Sequence, residues 1–494
     1  MHSPDQPVPP PHEPITARPA DFGPDEPLPT VQPFRSRRWR TVLAWLVILT
    51  IVAGIFVQVA LARRSAGNTT LRNIQDQSED FTFRYLVGTY QLLRGFDPSA
   101  DERIYQDSKQ AVAAGTPTQQ IRFAIFAGEL KGPTQALAEL AEIKAEPVAR
   151  LVSILRRLYG DYERQQFDAP SVTDVERTEL RTQLGWMGEL ALNPEGGPDP
   201  ARRDTLLSGA LRTCFTLIGA LVIFGGLGLV GFVVLLVVVL LAWYGRLKSG
   251  IGPPSGTGGL YAETFALWLL LFVGLSQLFR FPLLDNLPDA TKGLGMLLTL
   301  VVLAWPVAWG VPWRQVRAEI GLTWGRRPWA EPLLGIFTYI MSLPLLAVGL
   351  LIVLALMKIQ GWVQGTDASP PPSHPIAENL GQAGWWQLLQ LLFLASVVAP
   401  VVEEIMFRGI LYRHLREATG AWRAAASMLT SATVVGFLFA VVHPQGWLGV
   451  PVLMAIAYGL NISREWRGTL IPAMVGHGLN NFIMLVLTTF LFRG

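Results

Sequence analysis

From Thr213 to the end of the chain, apolar residues run almost unbroken, in blocks separated by short polar stretches. The blocks at 213–244, 260–279, 294–312, 331–357, 386–412, 422–443, 446–462 and 469–492 each predict a membrane-spanning helix. About 20 apolar residues suffice to cross a bilayer core. A further block, Thr41–Ala62, follows Arg35, Arg37, Arg38 and Arg40, which makes about nine spans. The 213–244 block is long for one crossing and predicts either tilt or an extension into water. The 446–462 block is the shortest candidate. A signal peptide competes for Thr41–Ala62, with Ala60-Leu61-Ala62 as its cleavage site. Its charged region would be far too long for that pattern, so an uncleaved anchor is expected.

Between residues 65 and 207 the pattern changes. Charges return, and amphipathic stretches appear at Leu71–Leu93, Asp101–Ala114, Gln119–Leu130, Pro133–Leu158 and Val172–Leu192. Pro/Gly clusters such as Gly115-Thr116-Pro117 separate them. This predicts a water-soluble helical domain of roughly 140 residues. Residues 1–40 are different again: a proline-rich tail without apolar periodicity up to the arginines, read as disordered and solvated. The expected fold is therefore an all-α polytopic membrane protein with an extramembrane helical domain. In it, 41–62 is the anchor and 213–380 holds membrane helices without catalytic groups.

Composition narrows the class. The 494 residues are 50% hydrophobic and 16% charged, with mean hydropathy +0.35. Soluble chains average about 25% charged residues, so a simple soluble enzyme is excluded. The net charge of +3 is too small to imply a nucleic-acid partner. The single cysteine, Cys214, excludes an intrachain disulfide or a zinc finger. The expected partners are the lipid bilayer and a polypeptide within it.

Charge placement also gives an orientation. Arg246 and Lys248, then Arg314, Arg317, Arg326 and Arg327, then Arg413, Arg416 and Arg423, then Arg464 and Arg467, fall in alternate loops. The intervening loops carry only Lys292 and Lys358, with Arg280 at an edge. The positive-inside rule places the N-terminus in the cytoplasm and residues 65–207 outside. The expected location is the plasma membrane of a bacterium.

An ionisable group in a span costs roughly 2.5–3.5 kcal/mol on insertion scales. The notable cases cluster at the end of the chain: Glu403, Glu404, Arg408, His443, His477 and Asn481. Adjacent carboxylates on a helix point about 100° apart. Glu404 and Arg408 have the i, i+4 spacing of an ion pair, which leaves Glu403 on another face for chemistry. Phe439 and His443 share a face at i, i+4, and so do His477 and Asn481. Taken singly, these are equally a helix-fixing pair, a capping histidine and interhelical glue.

Together, E-E-x-x-x-R, F-x-x-x-H and H-x-x-x-N on successive apolar segments resemble the CPBP intramembrane proteases. That family includes the CAAX prenyl endopeptidases of the Ras-converting type and bacterial Abi and bacteriocin-immunity proteins. The resemblance covers about 385–485. It implies an intramembrane endopeptidase with Glu403, His443, His477 and Asn481 catalytic, supported by Glu404, Arg408 and Phe439. In this reading Glu403 activates water, His443 positions it, and His477 and Asn481 stabilise the oxyanion. No cofactor is expected; the alternative is zinc on Glu403, His443 and His477. The expected substrate is a membrane-embedded or membrane-anchored polypeptide, recruited in part by 65–207. A non-enzymatic scaffold, an immunity protein or a transporter is the rival reading.

Depth supplies one conflict. With the 386–412 span ending near Tyr412, Glu403 lies about 13 Å inside the membrane, and His477 lies about 12 Å inside. A straight helix from Trp422 would carry His443 about 31 Å, to the far side. Either 422–432 lies along the interface, the preferred expectation, or the helix is steeply tilted.

Overall fold

The computed structural model describes residues 38–65, 70–97, 99–113, 115–168, 171–279, 289–364 and 384–493. The proline-rich tail up to residue 34 lies outside the described residues. Among the described residues the protein is helical without a strand, and nine helices are long and apolar enough to cross a membrane. The chain is an all-α polytopic membrane protein.

Helix α1 spans Arg38–Ser65. The extramembrane helices follow: α2 Thr70–Leu93, α3 Ala100–Val112, α4 Pro117–Lys131, α5 Pro133–Glu142, α6 Ala149–Glu163, α7 Asp174–Leu184 and α8 Trp186–Leu192. Two of the predicted stretches divide. Pro133–Leu158 breaks where Glu146–Val148 forms a 3₁₀ turn containing Pro147, a residue that removes a helical donor. Val172–Leu192 breaks at Gly185, whose φ of 57° few other residues tolerate. Thr116 with Gln119, and Thr173 with Glu176, form reciprocal capping boxes that start α4 and α7. Phe126, Leu155, Leu158, Leu184 and Met187 fill a core of their own. Arg203 pairs with Glu129 at 2.6 Å within this domain.

The long apolar block continues a helix that begins against the preceding helical domain. Helix α9 runs from Pro200 to Trp243, 44 residues, or about 66 Å at 1.5 Å per residue. Its first turns bury Ala210 in the core of the extramembrane domain, with Leu207 packed against it, and its later turns pack along α14. No proline interrupts it after Pro200, so the boundary expected between 207 and 213 falls inside a helix.

The remaining helices are α10 Gly258–Leu278, α11 Asp289–Leu298, α12 Ala304–Ala308, α13 Trp313–Ile320, α14 Glu331–Gln364, α15 Trp385–Ala418, α16 Ala424–Val441, α17 Gly446–Arg467 and α18 Ile471–Arg493. Helix α14 lies along α9, α17 and α18. Glycines permit the close approach: a Cβ at Gly231 would run into the Ile340 carbonyl, and one at Gly459 into Ser342.

The 213–380 segment holds an intramembrane carboxylate that the sequence reading passed over. Glu263 of α10 is buried and accepts from Arg40 Nη2 at 2.6 Å and Trp305 Nε1 at 3.0 Å. Trp45 of α1 donates to His414 Nε2 at 2.9 Å, and His414 Nδ1 lies 2.7 Å from the Gly258 carbonyl. Tryptophan only donates and a carbonyl only accepts, so His414 carries its proton on Nδ1. These contacts seat α1 against α10 and α15.

Candidate active site

Helix α15 is not a regular α-helix. It widens into π-turns at Leu394–Val398 and Ile405–Leu411, leaving one α-helical stretch, Ala399–Glu404, between them. Pro400 accounts for the first. It has no N–H, and its ring crowds the carbonyl four residues back. The Ala399 N–H reaches instead to the Leu394 carbonyl, five residues away. In the second π-turn the Tyr412 N–H likewise reaches Phe407. Such turns recur at functional sites, and here they bracket Glu403 and Glu404.

Glu404 and Arg408 are fully buried, and their i, i+4 pair closes at 2.9 Å. His477 of α18 brings Nδ1 to 2.8 Å from the same Glu404 oxygen. The His477 Nε2 then faces Glu403 Oε2 at 3.7 Å. His443 lies just beyond α16, with Nδ1 2.5 Å from the Phe439 carbonyl and Nε2 3.8 Å from Glu403 Oε2. A carbonyl accepts only, so His443 holds a proton on Nδ1. Two imidazoles from different segments thus converge on one carboxylate oxygen, at separations beyond direct hydrogen bonding but within reach of one intervening water. Phe439 packs among them: its ring lies 4.3 Å from that of His443, 5.7 Å from that of His477 and 4.5 Å from the Arg408 guanidinium. Phe407 and Phe265 continue this apolar wall.

The structure removes the conflict over His443. Helix α15 continues to Ala418 rather than ending near Tyr412, and α16 is one continuous helix rather than an interfacial segment followed by a span. The two helices join through Thr419 and Ser427, whose hydroxyls are 2.6 Å apart. Glu403 lies sixteen residues before Thr419, and His443 sixteen after Ser427. Two antiparallel helices rising about 24 Å each from that joint bring the two side chains level. Counted from the joint between the two helices rather than from Tyr412 and Trp422, the lengths agree.

Asn481 shares α18 with His477. Its amide nitrogen donates to the Ala395 carbonyl at 2.9 Å, in the first π-turn, rather than toward Glu403. Arg464 was not singled out from the sequence, yet it is buried against the second π-turn, with Nε 3.3 Å from the Arg408 carbonyl. Its sequence signal is only that of an arginine just past the 446–462 apolar block, where it reads as part of a basic loop. Among the described residues, no group of three or more His, Cys, Asp and Glu side chains closes to metal-ligand geometry.

Residues 385–483 match the family described as type II CAAX prenyl endopeptidase Rce1-like. The matched segment runs from α15 into α18 and contains all three motifs, and the family is one of proteases. No curated protein and no solved structure matches the chain.

Proposed function

We propose that the protein is an intramembrane endopeptidase in which Glu403 activates the attacking water. The observation that carries this reading is the convergence of His443 and His477 on one oxygen of Glu403, beside a Glu404–Arg408 pair. Two carboxylates, Glu403 and Glu404, thus share one guanidinium and the His477 imidazole. A water held by Glu403 and oriented by His443 gives up a proton to Glu403 as its oxygen adds to the peptide carbonyl carbon. His477, fixed through Nδ1 by Glu404, turns Nε2–H toward the developing oxyanion. The carbon–nitrogen bond then breaks, and Glu403 returns the proton to the leaving amine. The sequence balances as addition of one water across the peptide bond. The substrate proposed is a membrane-embedded or membrane-anchored polypeptide, met from within the bilayer, and the membrane is the plasma membrane of a bacterium with the N-terminus in the cytoplasm.

The test is Glu403→Gln in the full chain, assayed on proteins captured by that variant in membranes. Loss of the general base should cost about 10²- to 10⁴-fold in turnover, with insertion unchanged. Undiminished turnover would overturn the mechanism, and capture of soluble proteins alone would overturn the substrate class. Zinc analysis of active protein bears on the cofactor: substoichiometric metal and chelation-resistant activity are expected. Stoichiometric zinc that is lost in His443→Ala would reverse that part.

A further inference from the structure

The two π-turns of α15 each release a backbone carbonyl, and each carbonyl is taken by a polar side chain from another helix. At the first turn, the Ala399 N–H is committed to Leu394 and Pro400 has none to give. The Ala395 carbonyl is therefore left without a donor from its own helix, and Asn481 Nδ2 supplies one at 2.9 Å. At the second, the Tyr412 N–H is committed to Phe407, so the Arg408 carbonyl loses its usual i+4 donor. Arg464 Nε approaches that carbonyl at 3.3 Å, while its Nη2 donates to the Glu319 carbonyl at 2.9 Å. Buried carbonyls almost always hold a partner, so each π-turn depends on its outside donor.

The surroundings are shaped for Arg464. Gly321 ends α13 with φ 78°, and a Cβ there would come within 2.7 Å of the guanidinium carbon. Leu470 N–H anchors the same Gly321 through its carbonyl at 2.9 Å. Arg464 thus ties the end of α13 and the second π-turn to α17, as Asn481 ties the first to α18.

We infer that Asn481 and Arg464 are a matched pair of positioning residues that hold the two π-turns open and so fix the rotation of Glu403 and Glu404 between them. Reverting a π-turn to α-helical register turns one flanking segment by about 100° relative to the other. That would swing Glu403 away from His443 and His477. The purpose assigned to this geometry, aiming Glu403 at the imidazoles, rests on the proteolytic reading above. The geometry itself does not.

The test compares full-length wild type with Arg464→Met, Arg464→Lys, Asn481→Leu and Arg467→Met in lipid nanodiscs. Arg467→Met is the control, because it breaks the Arg467–Glu331 pair on the same helix without touching a π-turn. Structures by electron cryomicroscopy give the first readout. In Arg464→Met, the second π-turn should close or shift, and the Glu403-to-histidine separations of 3.7 and 3.8 Å should lengthen by about 1 Å. Asn481→Leu should do the same from the first turn, and it serves if Arg464→Met does not fold. Arg464→Lys, which keeps one donor, should restore the geometry in part, and Arg467→Met should leave it alone. The second readout is cleavage of an internally quenched, lipid-anchored reporter peptide. A displacement of about 1 Å predicts a loss of about 10²-fold in kcat per folded molecule, with KM little changed. Unaltered π-turns and separations in both Arg464→Met and Asn481→Leu would overturn the proposal, as would an unchanged kcat per folded molecule. The structural readout stands whether or not the reporter is cut. Failure of the proteolytic reading would instead show as undiminished cleavage by Glu403→Gln.

Discussion

The extramembrane domain and the C-terminal membrane bundle both bury an Arg–Glu pair, and the two pairs serve different ends. Arg203–Glu129 links α9 to α4 inside a domain whose helices carry caps, amphipathic faces and a core of their own. Glu404–Arg408 lies within one helix, and the Glu404 oxygen that takes Arg408 also meets a histidine from another helix. In the first region the pair supplements a hydrophobic pattern that already specifies the packing. In the second that pattern is nearly silent, because lipid and protein interior are equally apolar, and polar groups mark which faces turn inward.

Removing one partner of a buried pair costs about 3–5 kcal/mol, since the other is left charged and unpaired. Glu129→Ala and Glu404→Ala should therefore lower thermal stability in nanodiscs by comparable amounts. They should separate in function. Glu129→Ala should retain cleavage per folded molecule, whereas Glu404→Ala should lose it, because His477 loses the carboxylate that sets its ring. Equal loss of cleavage in both variants would show that the extramembrane domain shares in the chemistry. The pH dependence sharpens the contrast on the soluble side. Burial pushes the Glu129 carboxyl up against the pull of Arg203. A raised folded value contributes stability below the unfolded value that is lost as pH rises through the folded one. Mild acid should thus not cost the domain stability through Glu129, even as protonation uncouples it from Arg203.

How much of the molecule the sequence discloses follows the same division. Apolar block length located nine helices long and apolar enough to span. The i, i+4 spacings of Glu404 with Arg408 and of Phe439 with His443 identified contacts that the structure contains. Helix irregularity was not legible: Pro400 hinted at a break but not at a π-turn, and nothing in the sequence marks the second. Asn481 could therefore be recognised as intramembrane and polar, but its partner, a carbonyl released by a proline on another helix, could not. Glu263 escaped notice because its partner Arg40 lies 223 residues away. A helix end near Tyr412 was expected because Arg413 and Arg416 read as a loop, yet α15 runs to Ala418, with Arg413 donating to the Gly252 and Pro253 carbonyls and Arg416 paired with Glu465.

Close helix approach offers a comparison of intermediate size. Gly88 on α2 abuts the Ala210 carbonyl of α9, and Gly231 on α9 abuts the Ile340 carbonyl of α14, whereas Gly219 on α9 has open space around it. Gly88→Ala and Gly231→Ala should each destabilise by about 1–3 kcal/mol through overpacking against backbone. Gly219→Ala should stabilise by up to about 1 kcal/mol, by lowering the entropy of the unfolded helix. Thermal midpoints in nanodiscs measure all three. If Gly231→Ala also slows cleavage per folded molecule while Gly88→Ala does not, α14 transmits strain to α18 and His477. Equal behaviour of the two would confine both to packing.

The smallest effect belongs to the start of α7, where no membrane group takes part. Thr173 and Glu176 form a reciprocal cap, with the Thr173 N–H donating to Glu176 at 2.9 Å. That bond, aided by Arg157, holds the Glu176 carboxyl down at about 2 against an ordinary 4.5. A depressed folded value contributes stability that is present above the unfolded value and lost as pH falls through the folded one. Protection of α7 amides from hydrogen exchange should therefore weaken between about pH 4.5 and 2, while α4 amides near Glu129 hold. Thr173→Ala removes the side-chain half of the cap and should cost about 1 kcal/mol at neutral pH. Glu176→Gln keeps an acceptor for the Thr173 N–H but loses the charge, so it should flatten the acid dependence of α7 exchange. A Glu176→Gln variant that keeps the full acid sensitivity would move the cause to another carboxylate of the domain and leave the cap a purely neutral hydrogen-bonding device.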